Sequence, residues 1–332
     1  MKLTHRERLE NTLSGINTDQ IPCALWRRFP VDDQDPLTLA KATIAFQEQF
    51  DFDFVKVSPP SSYCLKDWGV QDVWRGNPEG TRKYTVRPIQ HPDDWLKLQV
   101  LNPYEGWLSQ QLLCLSELKK AFGDHTPFVQ TIFNPLYQAK NLAGSERLLI
   151  HLREFPNALH HGLKTISQTT IRFIEALYQT GISGIFFAIQ HASSLVVSEQ
   201  EYMQFGKAYD LPILQAAKTF WLNIAHLHGE NIFFDLLADY PVHIMNWHDQ
   251  ETPPSLIECL ERFSGVACGG IKRLQSLVLG RPENIKQDVL GAIHQTGGKR
   301  LVLGTGCVLP LTTPYGNIMA IRNTIEEIAK CV

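Results

Sequence analysis

No apolar run in this chain approaches the roughly 20 residues that a bilayer-spanning helix requires, and neither sign of charge forms a long block. With 31 basic and 34 acidic side chains, the formal net charge is −3. That balance argues against nucleic acid or an anionic membrane as the main partner. The start, Met1-Lys2-Leu3-Thr4-His5-Arg6-Glu7-Arg8, has no apolar stretch of signal-peptide type. Close cysteine pairs are missing as well: the seven cysteines are scattered without a framework of spacings. They are read as reduced thiols and the protein as cytoplasmic. Linkers rich in Pro, Gly or Ser, internal repeats and low-complexity tracts are also lacking. The expectation is one domain over residues 1–332, long enough to bury a sizeable core.

What the chain does have is alternation: short apolar, β-branched or aromatic runs, each followed by a longer helical pattern. A first helix opens with a capping box, Thr4 with Glu7, and carries Leu9 and Leu13 on one face. Strands are then expected at Pro22–Trp26, Phe52–Val57, Pro127–Phe133, Gly184–Ile189, Phe220–His228, Val242–Trp247, Val266–Gly270 and Leu301–Gly304. Helix starts are marked by Asp35-Pro36, by Ser145 (for a helical region reaching Gly181) and by Thr313-Pro314 for the last helix. Eight strands alternating with helices predict an α/β fold, a single (β/α)8 TIM barrel. The irregular segment Pro59 to about Pro103, after the second strand, is expected to carry a hairpin and to cover part of the barrel mouth.

The most informative run is His226-Leu227-His228-Gly229 at the end of the fifth strand. Residues two apart on a strand share a face, so both imidazoles aim one way before Gly229 breaks the strand. Cys307 closes a comparable apolar strand and glycine turn, Leu301 to Gly306. Two histidines and one cysteine form a borderline-soft donor set that suits Zn²⁺ and leaves a fourth position open. Active sites of such barrels lie at the carboxyl ends of the strands. His248, Arg27, Arg28, Gln190 and His191 fall there as well.

Three runs resemble the uroporphyrinogen decarboxylase superfamily across essentially the whole chain: Asn134-Pro135-Leu136, Gly184 to Gln190, and Gly304-Thr305-Gly306-Cys307-Val308-Leu309-Pro310 with Thr313-Pro314. The resemblance implies a (β/α)8 barrel from one of two branches. True decarboxylases work without a cofactor and grip a tetrapyrrole with arginines and an aspartate. Zinc-dependent methyltransferases move a methyl group between a methylated corrinoid protein and a thiol. The decarboxylase hallmark Arg-Gln-Ala-Gly-Arg is replaced here by Arg27-Arg28-Phe29-Pro30, and its aspartate site by Ser58-Pro59-Pro60.

The methyltransferase motif, His-X-Cys with a later Cys, finds His226-Leu227-His228 and Cys307 at the matching places. His228 in place of Cys keeps zinc-binding ability and removes one thiolate, which makes a bound substrate thiolate less nucleophilic. The resemblance thus implies a methyltransferase with Zn²⁺ on His226, His228 and Cys307, a corrinoid protein as partner, a thiol as acceptor and, for many superfamily members, a homodimer. Two alternatives stay open. One is a decarboxylase gripping a porphyrinogen or smaller polycarboxylate with Arg27, Arg28 and Asp53; the other is a tetrapyrrole- or corrinoid-binding protein without chemistry.

Other candidates carry two readings each. Arg27 and Arg28 could clamp an anionic group or form salt bridges. His248 could be a fourth ligand, a catalytic or substrate contact, or a capping residue. Gln190, Tyr137 and Trp247 are substrate contacts by position, although tryptophan is also good core. Gly269-Gly270 could bring backbone N–H groups to an anion or only permit a turn.

Overall fold

The computed structural model describes residues 2–331. Its main sheet is parallel throughout and curled, with strands β1 (Val55–Val57), β4 (Phe128–Phe133), β5 (Gly184–Ile189), β6 (Ile224–Leu227), β7 (Ile244–Trp247), β8 (Val266–Ile271) and β9 (Leu301–Thr305) in that order. Helices connect successive strands, as parallel pairing requires. A separate antiparallel pair, β2 (Gln71–Val73) and β3 (Lys83–Val86), lies in the long segment after β1.

The strand expected at Pro22–Trp26 is not a ladder strand. It is an extended segment held by two bridges, Cys23 to Leu303 and Arg27 to Leu309. Leu303 donates to Pro22 O at 2.8 Å, Ala24 to Leu303 O at 2.9 Å, and on the other side Asp53 donates to Cys23 O at 2.8 Å. Two helix boundaries also differ from expectation. Ser145 is the first helical residue rather than the cap, with Gly144 in the cap position at φ 96°. The helical region beyond it breaks at Phe155-Pro156 into Ser145–Glu154 and Pro156–Leu177, because proline cannot continue the preceding turn.

Both faces of the curled sheet are buried, which is why its strands read as continuous apolar runs. A large cluster fills the space between sheet and helices. A smaller one, including Ala24, Trp26, Phe54, Val129, Phe186, Ile224, Ile244, Val266, Cys268 and Val302, fills the concave face, where Leu9 of the first helix also packs. Each large side chain there contributes about 1.5–3 kcal/mol relative to exposure. Membership alternates along each strand, so positions 24, 26, 54, 224, 244, 266 and 302 face inward and their odd- or even-numbered neighbours face the helices.

That alternation corrects the expectation for Asp53. One position out of phase with Phe54, it sits at the amino end of the sheet, fully buried. It accepts from Cys23 N at 2.7 Å, pairs with Arg8, and lies 3.1 Å from His5 Nδ1 and 3.7 Å from Arg322. It locks the first helix under the sheet, at the end opposite the candidate site.

The segment after β1 folds back over the carboxyl end. Leu311 N donates to Pro78 O at 2.7 Å, Glu79 pairs with Arg273, and Arg82 holds Asp72 at 2.7 Å. A Cβ on Gly80 would stand 2.7 Å from the Arg28 side chain. No helix among the described residues is long and apolar enough to cross a membrane.

Behind β4 lies a fully buried carboxyl, Asp210. Tyr202 donates to it at 2.6 Å, Tyr240 at 2.9 Å and Asn134 at 3.3 Å. Burial pushes its pKa up to about 7, with the three donors opposing. The folded state therefore holds this proton where the unfolded chain has released it. The contribution falls as pH rises from about 4 to 7 and levels off above that. Asp210→Asn removes the ionisation, so the stability of the variant minus that of the wild type should rise across this window by an amount on the order of 4 kcal/mol. Urea denaturation at several pH values measures this; a difference that stays flat with pH refutes it.

Candidate metal centre

Four side chains converge at the carboxyl end of the sheet: His226, His228, His248 and Cys307, with one potential ligand atom from each lying within 4.8 Å of the others. His226 is on β6 and His228 follows it, two residues apart and on the concave face. His248 follows β7, whose register pairs Asn246 with His226. Cys307 follows β9 after Gly304-Thr305-Gly306. The first of these glycines is required by close approach, since its Cβ would stand 2.9 Å from Cys268 Sγ. The second lies on the backbone of the His248 turn: a Cβ on Gly306 would be 2.6 Å from His248 Cα and 2.8 Å from Trp247 O.

Hydrogen bonds fix which nitrogens face the cluster. Asn246 Nδ2 donates to Cys268 O at 2.8 Å and Thr305 O at 3.0 Å, so its Oδ1 is the atom facing His226 Nδ1 at 2.7 Å. His226 therefore carries its proton on Nδ1 and turns the lone pair of Nε2 inward. Glu251 Oε2 stands 2.9 Å from His248 Nδ1 and sets the same tautomer there. His228 Nδ1 lies 3.3 Å from His248 Nε2 and 3.7 Å from Cys307 Sγ.

Burial pushes the Cys307 thiol up, yet contacts to His226, His228 and His248 outweigh it and hold the group well below its usual range, as a thiolate. Burial lowers His226, which stays neutral despite Cys307. For His248 burial also lowers, but Cys307 and Glu251 overcome it and raise the pKa.

A narrow cavity of about 30 Å³ opens beside His226 and Cys307, also lined by Trp26, Arg28, Lys56, Phe186 and Gln190. That volume holds a water or two. Lys56 has Nζ 3.2 Å from Ser58 Oγ and 4.7 Å from the Phe186 ring centre, with no acidic partner among the described residues. Burial, with Arg28 nearby and Cys307 opposing, pushes its amine down to about 7. Sequence reasoning passed over Lys56; the signal was a lysine inside the apolar run Phe54-Val55-Lys56-Val57.

Of the expected site residues, the structure brings together His226, His228, Cys307 and His248, with Arg28 and Gln190 on the adjoining cavity. His248 stands at the position expected to be open. Three others are elsewhere. Arg27 is out of phase with Trp26 and Arg28, so its guanidinium lies behind the sheet over the Phe29 ring. Trp247 is out of phase with Asn246 and His248; fully buried against Phe234, it donates to Pro254 O at 2.9 Å and is core. Asp53 is at the far end, as described above. Tyr137 sits one layer back, packed on Phe133 and His191 with Lys140 over its ring. The N–H of Gly270 is taken by Asp249 at 2.8 Å, so that glycine pair serves an internal carboxylate.

A curled parallel α/β sheet with polar side chains gathered at its carboxyl ends is an enzyme-type architecture. The uroporphyrinogen decarboxylase (URO-D) family matches residues 4–328, and the chain belongs to that family. Among solved structures, it is similar to a methyltransferase from Methanosarcina mazei, with a TM-score of 0.86 at 19% identity, covering 98% of this chain and 99% of that one. It is also similar to a B12-independent methionine synthase from Shewanella sp. W3-18-1, solved with selenomethionine (TM-score 0.59, 12% identity, 94% of each chain). A putative vitamin-B12 independent methionine synthase from Listeria monocytogenes gives a TM-score of 0.57 at 12% identity, over 98% of this chain and 95% of that one. No curated protein sequence matches the chain.

Gly306→Ala tests the packing of the cysteine turn on His248. The added methyl meets backbone rather than a yielding side chain, so a loss of about 1–3 kcal/mol is expected in chemical denaturation. Unchanged stability would mean that the turn is free of His248.

Proposed function

We propose that this protein is a zinc-dependent methyltransferase that passes a methyl group between a corrinoid carrier and a thiol, working as a single-domain (β/α)8 barrel in which segment 22–27 takes the eighth strand position. The observation that carries the reading is the convergence of three imidazoles and a thiolate, two of the imidazoles with their tautomers set from behind. Such donors fit a borderline divalent ion. His226, His228, His248 and Cys307 would hold Zn²⁺, which when bound lowers the pKa of a thiol and keeps it as a nucleophile.

The remaining chemistry belongs to the cavity. Lys56, with an amine near neutrality and no acidic partner, accepts the proton that the thiol gives up. Arg28 and Gln190 orient the rest of the substrate, and Trp26 and Phe186 exclude water from the reacting sulfur. The methyltransferase name of the Methanosarcina protein agrees with methyl transfer. The decarboxylase alternative loses support, because of Arg27, Arg28 and Asp53 only Arg28 reaches the cavity.

Elemental analysis of the untagged protein should find about one zinc per chain, lost in His226→Ala and Cys307→Ala. Asn246→Ala, which frees the His226 ring, should weaken zinc binding by about 10–100-fold. The loaded wild type should then demethylate methylcobalamin in the presence of a thiol, followed by absorbance. No zinc in the wild type after reconstitution would sink the proposal.

A further inference from the structure

The cavity beside His226 and Cys307 measures about 30 Å³ and is closed to anything larger than a water or two. Any organic substrate therefore needs one of its walls to give way. We propose that the tip of the β2–β3 hairpin, residues 76–80, is the gate: it lifts to release Arg28 and widen the cavity, and the Glu79–Arg273 ion pair keeps it seated.

The walls differ in what holds them. Lys56, Thr131, Phe186 and His226 sit in the parallel ladder, whose register fixes them. Arg28 and Val308 lie outside it. The Arg28 guanidinium has no acidic partner and no hydrogen bond among the described residues, so packing alone keeps that wall in place. The hairpin tip supplies the packing. A Cβ on Gly80 would stand 2.7 Å from Arg28 Cβ and 3.5 Å from its Cδ, an approach that only glycine permits. Val308 is reached through the same tip: its carbonyl accepts from Arg273 at 3.3 Å, and Arg273 pairs with Glu79.

The tip is built to move as one piece. Glu79 N donates to Asn77 Oδ1 and Gly80 N to Asn77 O, both at 2.9 Å, which closes it into a turn. Below it the hairpin is anchored by Arg82, held by Asp72 at 2.7 Å and Asp33 at 3.5 Å. Gly76, at φ 77° with open space around it, is placed to act as the hinge. No residue of the tip belongs to either apolar cluster. Its polar ties to the body are the Glu79–Arg273 pair, with Glu79 38% exposed, and one bond from Leu311 N to Pro78 O at 2.7 Å. An ion pair open to water contributes little, so the tip parts from the body at small cost while the ladder beneath stays intact.

The test is iodoacetamide labelling of Cys307, mapped by peptide mass on the full-length protein with a chelator present. Glu79→Gln, which removes the ion pair, should label about two- to fivefold faster than the wild type. Potassium chloride at about 1 M should speed the wild type and leave Glu79→Gln unchanged, because salt screens a pair half-open to water. Gly80→Ala should also label faster, since its methyl cannot lie against Arg28 with the tip seated. The buried Cys64, Cys114 and Cys259 should stay unlabelled over the same period. The gate is overturned if Glu79→Gln labels at the wild-type rate. It is equally overturned if the other cysteines label in step with Cys307, which would mean access by unfolding. Neither zinc nor a methyl donor enters the measurement, so its failure leaves the methyltransferase reading standing.

Discussion

The arrangement of this molecule depends on the period-two alternation of side chains along a parallel sheet buried on both faces. Every inward position is committed to the concave core or, at the carboxyl end, to the site; every outward one is committed to the helices. The pairing of His226 with Asn246 then follows from register: with Ile224 beside Ile244, the next inward residues are an imidazole and an amide, and the next after those are His228 and His248. A slip of one residue in β7 would replace Asn246 and His248 by Met245 and Trp247 on that face and dissolve the donor group. The metal-type cluster is thus a consequence of strand register, and the apolar packing that fixes register is what holds its geometry.

The same alternation explains what could be read in the sequence and what could not. Strand order, helix alternation and the His226-Leu227-His228 pair with Cys307 were legible because each is a local pattern. Which face of a strand is inward was not, since both faces are apolar and hydrophobicity carries no phase. Asp53, Trp247 and Arg27 each stood one residue out of phase with the concave set, and each was expected in the site. Lys56 was in phase and passed over, because a single lysine in an apolar run gives no periodic signal. His248 was legible as a possible fourth ligand among other roles, and the choice among them was not, for its place depends on β7 lying in register beside β6. The segment Pro22–Trp26 read as a full strand from its apolar content, yet the chain there forms only two bridges, Cys23 to Leu303 and Arg27 to Leu309.

The two ends of the sheet differ in how their charges are met. At the amino end Arg8, His5 and Arg322 face Asp53, Asp19 and Asp51, although the Arg322 guanidinium nitrogens are buried without a hydrogen bond. At the carboxyl end Lys56 has no acidic partner and His191 Nδ1 is buried without a hydrogen bond. An uncompensated buried polar group costs about 1–3 kcal/mol. Such costs fall at both ends of the sheet, and at the carboxyl end they lie beside the candidate site.

Replacing a thiolate by His228 changes more than donor softness. With a divalent ion, three neutral imidazoles and one thiolate leave the centre with one positive charge, in a cavity that already holds Arg28 and Lys56. In the proposed zinc-loaded enzyme a bound substrate thiolate would remove that charge, and in a low-dielectric site this attraction would be strong. In the proposed reaction the product sulfur would be a neutral thioether, and the attraction would be lost. A site with two protein thiolates would start neutral and would become negative on binding substrate. On the proposed reading the histidine would trade nucleophilicity of the bound sulfur for tighter thiolate capture and easier release of the methylated product.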